Sequence, residues 1–203
     1  MTILAISGSP LKDGTTVTLL NQALEGAKQE GADIELFSVA GKNIQPCDGC
    51  GGCMKTGKCH IKDDMQSLYD KMVEADGIIF GTPIYFWDMT AQMKAVMDRT
   101  VAFGQPGRLA NKVGGVVAVC VMLGLIDALK DFAFYMMTRL MLPAGYVSAY
   151  ISSPNPDELR KMENCMKAAH DMGRLMVALV KTNFKYPAEF LAWHGIAYGT
   201  HVR

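Results

Sequence analysis

Four of the six cysteines of this chain lie within thirteen residues, in the segment CDGCGGCMKTGKC, at Cys47, Cys50, Cys53 and Cys59. The C-x₂-C-x₂-C spacing also opens the ligand run of bacterial ferredoxins, although here the fourth cysteine follows a longer gap and no proline comes after it. The glycines between the cysteines let the backbone fold around a compact object and direct its amides at sulfur. The segment is therefore a candidate metal or redox site.

Other roles for this segment stay open at this point. A zinc site usually needs two C-x₂-C pairs separated by a longer connection. Disulfides are rare in a reducing cytoplasm, which is the expected location because the start, MTILAISGSP, lacks the features of a signal peptide. His60 offers a further ligand, but an exposed loop histidine is the simpler interpretation. Cys120 and Cys165 are expected to be ordinary packed cysteines.

The composition limits the classes of protein to which the chain can belong. With 203 residues, of which half are apolar, one globular domain with a full core is expected. The net charge is zero and there is no basic run, so nucleic acid is not an expected partner. The longest apolar run, 113–126, is too short to cross a bilayer, so no membrane partner is expected either.

The elements that must position the cysteines alternate between strands and helices. Apolar runs rich in β-branched residues predict strands at 2–7, from Asp33, and at 77–82, 113–121 and 145–151. Helical patterns predict five helices. They begin near Val17, at a capping box of Asp63 and Gln66, at a Thr90 cap, at 127 and at an Asn155 cap, and the last two extend to 142 and 183. This order predicts an α/β fold with an open five-stranded parallel sheet and helices on both faces.

The loop after the first strand, SGSPLKDGTT, is rich in groups that bind phosphate. It matches neither the dinucleotide fingerprint nor a Walker A motif. Its hydroxyls and its cation come from Ser7, Ser9, Lys12, Thr15 and Thr16. Together with the amides of a helix start, these groups favour a phosphate monoester. The alternative is that the hydroxyls only cap the helix.

The loop after the third strand, TPIYFWDMT, places Tyr85, Phe86 and Trp87 at the same carboxyl edge of the sheet. Aromatic residues at an edge can simply close a core. Opposite a phosphate site, however, they suit the stacking of a flat heteroaromatic ring. A phosphate loop and an aromatic loop on one edge predict a mononucleotide, and FMN fits best.

Three segments carry a resemblance to a known family: SGSPLKDGTT, CDGCGGCMKTGKC and ADGIIFGTPIYFWDMTAQMKAVMDR. They resemble the NADPH-dependent FMN reductase family of flavodoxin-like fold, and within it the iron–sulfur flavoproteins. The resemblance implies a 4Fe–4S cluster on Cys47, Cys50, Cys53 and Cys59. It also implies cofactor-binding residues for FMN, which are Ser7, Ser9, Pro10, Lys12, Gly14, Thr15, Thr16, Pro83, Ile84, Tyr85, Phe86, Trp87, Met122, Leu123 and Gly124. Many relatives have Asn where Thr15 stands and a Gly-rich segment where this chain has VCVMLGLIDAL.

The resemblance implies an FMN-dependent oxidoreductase that transfers electrons between the cluster and FMN. No side chain is expected to be catalytic, because the cofactors carry the chemistry. NAD(P)H or ferredoxin is the expected donor or acceptor. The alternatives are a cluster-free NAD(P)H-dependent FMN or quinone reductase and a non-catalytic flavodoxin-like carrier. Residues 1–183 are expected to form the FMN-binding domain, with the cysteine loop at 47–59, and residues 184–203 a tail.

The predicted helix at 127–142 is apolar almost all round in its second half. Leu129, Phe132, Ala133, Met136 and Leu140 make one stripe at helical spacing, and Phe134, Tyr135, Met137 and Met141 lie off it. A helix that buries two faces needs a second partner. A homo-oligomer, dimer or tetramer, is therefore predicted, and the alternative is that the C-terminal tail covers the second face.

Overall fold

The computed structural model describes residues 1–104 and 107–191, whose strands form one sheet. The five long strands are β1 (Thr2–Ser7), β2 (Asp33–Ser38), β3 (Gly77–Tyr85), β5 (Val113–Cys120) and β6 (Leu142–Tyr150). They are all parallel, in the order β2-β1-β3-β5-β6, and the two-residue β4 (Asp88–Met89) pairs antiparallel with the end of β3. The predicted five-stranded parallel sheet of flavodoxin-like order is confirmed, and β4 is a small addition.

Helices cover both faces of the sheet. They are α1 (Thr15–Gln29), α2 (Gly52–Thr56), α3 (Met65–Glu74), α4 (Ala91–Arg99), α5 (Leu125–Thr138), α6 (Pro156–Arg160) and α7 (Glu163–Lys181). The alternation of side chains along β1 shows the two layers, because Leu4 and Ile6 face a core shared with α3, α4 and α5, whereas Ile3 and Ala5 face α1 and α7. The central strands β1, β3 and β5 are apolar on both sides because both sides are buried.

The predicted end of the helix at 127–142 was wrong. α5 ends at Thr138, and Leu140 takes a left-handed conformation with φ of 50°. The amide of Met141 donates to Met136 O and that of Leu140 to Met137 O, which is the Schellman arrangement. The sequence gives no sign of this stop because leucine stands where glycine is usual, and β6 accordingly begins at Leu142 rather than at Gly145.

The two predicted caps at Thr90 and Asn155 are confirmed, but the last helix is two helices. Thr90 Oγ1 accepts from Met93 N at 3.2 Å, and Asn155 Oδ1 accepts from Asp157 N at 2.9 Å. The chain breaks between α6 and α7 at Met162, whose ψ of 73° is not helical. In the tail, Tyr186 N donates to Asn111 Oδ1 at 2.7 Å, while Trp193 and the rest of 192–203 lie outside the described residues.

The strand order places the two predicted ligand loops next to each other. From β1 the chain moves to β2 on one side, and then to β3 on the other side of β1. The loops that follow β1 and β3 therefore lie side by side at the switch point of the sheet, where the strand order reverses and where open α/β sheets bind their ligands.

Candidate functional site

The loop between β1 and α1, residues 7–16 and called here the phosphate loop, is built into the edge of the sheet. The amide of Gly8 donates to Gly81 O at 2.7 Å, and Thr90 Oγ1 donates to Gly8 O at 2.7 Å. The Ser7 hydroxyl accepts from Ser9 N, and that of Ser9 accepts from Leu11 N. The backbone is therefore fixed in place before any ligand binds.

The phosphate loop also leaves donors without partners. Thr16 is 1% exposed, and its hydroxyl has no hydrogen-bond partner among the described residues. Gly14, the N-cap of α1, has no side chain to satisfy the amides of the first turn. An unsatisfied buried hydroxyl costs about 1–3 kcal/mol. A phosphate bound at this helix start would accept from the free amides and from the hydroxyl, so the residues present fit the phosphate of FMN.

The remaining predicted residues of this loop are divided between its outer rim and its interior. Pro10 and Lys12 are exposed, whereas Gly14 and Thr15 are buried. The side chain of Lys12 extends towards Gly41 after β2, since a Cβ placed on Gly41 would lie 3.7 Å from Lys12 Cε. Lys12 therefore supplies a mobile surface charge rather than a buried one.

The predicted aromatic loop is the tip of a hairpin between β3 and β4. Pro83, Ile84 and Tyr85 end β3, and Phe86 and Trp87 form the two-residue turn. Both turn residues have positive φ, 46° and 77°, as a type I′ turn requires. Large side chains are uncommon there, and Phe86 is 95% exposed. This is an exposed apolar surface of the kind that binds a ligand or a partner.

A third segment meets this hairpin from the end of β5. Gly124 has φ of 98°, and a Cβ placed on it would lie 2.3 Å from the Trp87 backbone. Met122 and Leu123 beside it are exposed. The structure therefore brings together all three predicted cofactor segments, 7–16, 83–87 and 122–124, at one edge of the sheet.

The cysteine loop, residues 47–59, encloses a separate cavity of about 190 Å³. All four predicted ligands line it, with Cys47 and Cys50 exposed and Cys53 and Cys59 half-buried. Three glycines of the loop, Gly49, Gly51 and Gly57, have φ between 67° and 72°, which side chains rarely adopt. The glycines thus provide the tight turns that direct four thiols to one cavity.

The electrostatics of the cavity favour a cationic occupant. Burial raises the pKa of the Cys53 thiol, and the neighbouring thiolates of Cys59, Cys47 and Cys50 raise it further. Four thiolates repel one another until a positively charged metal core binds them. The number, chemistry and convergence of the sulfur ligands fit a 4Fe–4S cluster.

His60 is exposed, as expected, and pairs with Asp48. Its Nε2 lies 2.6 Å from Asp48 Oδ2, and ligand atoms of Asp48, Cys50 and His60 all lie within 4.8 Å of one another. The Cys50 amide and then the His60 hydrogen bond lower the pKa of Asp48. This set shares Cys50 with the four-cysteine cavity, so the two sets cannot be filled together. Away from the loop, Cys120 is buried and its thiol contacts Leu123 O at 3.4 Å.

Arg99 and Asp63, which the sequence did not assign to a site, hold the base of the cysteine loop. Arg99 and Asp63 form an ion pair of 2.8 Å whose side chains are both 0% exposed. On the same helix as Arg99, Lys94 and Asp98 pair at 2.5 Å on the surface. The capping box expected at Asp63 is wrong, because α3 begins at Met65 and the Asp63 carboxylate binds Arg99.

The position of the cysteine loop after the second strand predicts that its cavity lies at the same carboxyl edge as FMN, but the structure places the cavity elsewhere. Its walls include Arg99, Val101 and Ala102, at the C-terminal end of α4. The other end of α4, at Thr90, contacts the phosphate loop. Nine helical residues separate the two ends by about 13 Å. The loop leaves β2 at the carboxyl edge, but Cys53 and Gly57 line a pocket with Phe103 and Arg108, which lie shortly before the start of β5.

Known proteins with similar sequences are found over most of the chain. Residues 1–154 match the family model of the NADPH-dependent FMN reductases. An iron–sulfur flavoprotein of Methanocaldococcus jannaschii is 46% identical over 119 residues, which are 59% of this chain and 62% of that protein. One of Archaeoglobus fulgidus is 36% identical over 159 residues, 75% of this chain and 77% of that protein. This chain thus spans less than two thirds of the first relative.

Solved structures with low sequence identity share the fold. A flavone reductase superposes with a TM-score of 0.69 at 22% identity, covering 96% of this chain and 66% of that protein. An archaeal flavodoxin superposes with a TM-score of 0.56 at 16% identity, covering 89% of this chain and 99% of that protein.

None of the helices in the described part of the chain is long and apolar enough to cross a membrane.

Proposed function

Because this chain belongs to the NADPH-dependent FMN reductase family, and within it to the iron–sulfur flavoproteins, we propose that it is an oxidoreductase that passes electrons between a 4Fe–4S cluster and FMN. The observation that carries the proposal is the convergence of four cysteines on one cavity at the far end of a helix whose start contacts the phosphate loop. Residues 1–183 form the FMN-binding domain in this proposal.

The phosphate loop binds and orients the flavin. The amides at the start of α1 and the Thr16 hydroxyl hold the phosphate, and their buried position excludes water from it. The hairpin tip at 85–87 provides the aromatic surface for the ring, while Met122 and Leu123 flank it. Gly124 keeps the hairpin tip against the β5 loop by leaving room for the Trp87 backbone.

When bound, FMN supplies exchange of hydride or single electrons, and the cluster supplies exchange of single electrons. Cys47, Cys50, Cys53 and Cys59 would hold the cluster as thiolates. The glycines of the loop leave backbone amides free to donate to sulfur, which is one of the influences that set the potential of such a centre. No side chain of either site needs to act as a nucleophile or general base.

Electron transfer between subunits is the route that we propose. Within one subunit the two sites lie at opposite ends of this helix, about 13 Å apart along its axis. Apolar side chains remain exposed on α5, at Ile126, Phe134 and Met137, close in sequence to the β5 loop. We place a second copy of the chain against this surface, so that the cluster of one subunit faces the flavin of the other. NAD(P)H or ferredoxin is the proposed external partner.

Two parts of the predicted second face of α5 are not available to a partner. Tyr135 packs edge-on against Phe80, and its hydroxyl donates to Thr100 Oγ1 at 2.9 Å. Met141 is buried after the helix has ended. The described part of the tail, 184–191, lies beside Asn111 and leaves Phe134 and Met137 exposed. The face offered to a second copy is therefore narrower than the sequence predicted.

The test is a visible spectrum of protein purified without oxygen, with iron, sulfide and flavin assays on the same sample. The proposal expects about four irons and four sulfides per FMN. It also expects a Cys53→Ser variant to lose iron and sulfide together while keeping its flavin. Cys165→Ser is the matched control, because Cys165 lies on α7, remote from the cavity, and should leave both cofactors unchanged.

Two results would contradict the proposal in different ways. Flavin without iron, even after anaerobic reconstitution, would leave a cluster-free FMN or quinone reductase. Iron without flavin would remove the assignment of the phosphate loop and the hairpin tip. Full electron transfer in a strict monomer would contradict only the route between subunits.

A further inference from the structure

The Arg99–Asp63 pair is a doubly hydrogen-bonded ion pair in a fully buried position. Arg99 Nη1 donates to Asp63 Oδ2 at 2.8 Å and Nη2 donates to Oδ1 at 3.1 Å. Burying two charges has a large desolvation cost, and such pairs are often no more stable than apolar side chains of the same volume. The pair therefore has a reason other than the stability of the core.

The pair joins the two ends of the cysteine loop. Arg99 donates to Gln45 O at 2.8 Å, where the chain enters the loop, and to Ile61 O at 3.4 Å, where it leaves. Asp63 accepts from Gln45 N at 2.9 Å. A planar guanidinium with five donors in fixed directions can make these contacts at once, which an ammonium cannot do. We call these four residues the loop clamp.

Arg99 also forms part of the wall of the cavity that the four cysteines line. Its Nε is buried and has no acceptor among the described residues. A buried donor without a partner is costly, as argued for Thr16. The side chain of Arg99 is 0% exposed, so the guanidinium stands behind the cavity wall and acts on the cavity through the backbone of the loop that it holds.

The clamp is fixed relative to the flavin site through α4. Arg99 is the last residue of this helix, and Thr90, its N-cap, donates to Gly8 O in the phosphate loop. The Tyr69 hydroxyl donates to Arg99 O at 2.8 Å and holds the C-terminal end of the helix. The two loops are therefore fixed to opposite ends of one rigid element.

We infer that Arg99 is a positioning residue for the cluster: it closes the cysteine loop over the cavity and thereby positions the loop amides that would donate to the cluster sulfurs. Asp63 orients the guanidinium for both tasks. The inference rests on the proposed function, because it requires a cluster in the cavity. It extends that function by naming a residue outside the cysteine loop that decides how firmly the cluster is held.

The experiment compares the reconstituted holoprotein of wild type with Arg99→Lys and Arg108→Lys. Arg108 is the matched control, because it lies near the same loop, 3.8 Å from a Cβ placed on Gly57, but is exposed and outside the clamp. Lysine keeps the charge at each position and removes the planar fork. The two readouts are the rate of iron release to an excess of a ferrous chelator and the reduction potential of the cluster.

We expect Arg99→Lys to release iron at least fivefold faster than wild type and to shift the cluster to a more negative potential, with one FMN per chain retained. Arg108→Lys should match wild type in both readouts. Release rates within twofold of each other in wild type and Arg99→Lys would overturn the clamp. An unchanged potential with faster release would overturn the positioning of the loop amides alone.

A second variant keeps the inference testable if Arg99→Lys does not fold. Asp63→Asn preserves the shape of the side chain and removes its charge, so it should also release iron faster while FMN stays bound. If Asp63→Asn released iron at the same rate as wild type, the inference would be overturned. Wild-type protein that binds no iron would instead contradict the proposed function, and the two failures are therefore distinct.

Discussion

The phosphate loop and the cysteine loop are built in opposite ways. In the phosphate loop Ser7, Ser9, Thr15 and Thr16 are buried, and the backbone is hydrogen-bonded to the sheet. In the cysteine loop two of the four cysteines are exposed, and sharp turns depend on glycines with positive φ. Its attachment to the rest of the protein lies mainly at its neck, through Arg99 and Asp63.

The difference indicates how each cofactor would relate to its site. A loop that is fixed by the sheet is a preformed site, so its ligand can bind without having to order the chain. A glycine-rich loop fixed only at its ends gains order when a metal core joins its thiolates, because metal binding and folding are then coupled. Four measurements test this contrast, from the largest expected effect to the smallest.

The strongest test of the preformed site is Gly124→Ala. The new Cβ would lie 2.3 Å from the Trp87 backbone, at a φ of 98° that side chains rarely adopt, so the hairpin tip must move. Strain of about 1–3 kcal/mol predicts FMN binding that is weaker by roughly tenfold to a hundredfold. Titration of flavin fluorescence measures it. Iron content should not change, and a parallel loss of iron would contradict the independence of the two sites.

Limited digestion with trypsin tests the cysteine loop. Removing iron should speed cleavage after Lys55 and Lys58 by about tenfold or more, because the loop then opens locally. Removing FMN instead should leave cleavage after Lys12 slow, although Lys12 is also exposed. Mass spectrometry of the fragments identifies the sites. Equal sensitivity of the two loops after loss of their own cofactors would abolish the contrast.

Thr16→Val tests the unsatisfied hydroxyl. In the flavin-free protein the change removes a buried group without a partner, so the free energy of unfolding should stay equal or rise by about 1 kcal/mol. FMN binding should weaken by about tenfold, since a hydrogen bond to a charged phosphate is lost. Thr18→Val is the control, because Thr18 Oγ1 donates to Gly14 O and lies outside the loop. A fall in stability without a change in affinity would show that the hydroxyl is only structural.

The smallest expected effect is the pH dependence of the clamp. Burial alone raises the pKa of Asp63, but the hydrogen bonds from Arg99 and Gln45 outweigh it and leave the pKa lowered. A carboxylate with a lowered pKa adds stability above its ordinary pKa, and this is lost as pH falls through the folded value. Unfolding of the iron-free protein followed from pH 6 downwards should therefore show a loss of stability that begins near pH 4. The Asp63→Asn variant should lose less stability over this pH range. If its stability fell in parallel with that of wild type, the assignment of the loss to Asp63 would be contradicted.

Local signals in the sequence were enough for most of the fold. The β-branched runs, the Thr90 and Asn155 caps and the alternation of elements predicted the parallel sheet, because each depends on neighbouring residues. The signal failed at Leu140, where a left-handed residue ends α5 without glycine. It failed also at Met162, where the chain breaks a helix in two without a proline at the break.

The sequence alone was enough to predict which residues would meet a ligand, because hydroxyls at a helix start, aromatics after a strand and closely spaced cysteines each carry their chemistry in short segments. Tertiary structure decided how the two sites are arranged. The contacts of Arg99 with Gln45 and Asp63 join residues that lie 54 and 36 positions away in the chain. The length of α4, with a loop fixed at each end, then separates the two sites. No local pattern contains that information, because it arises only when distant segments pack together.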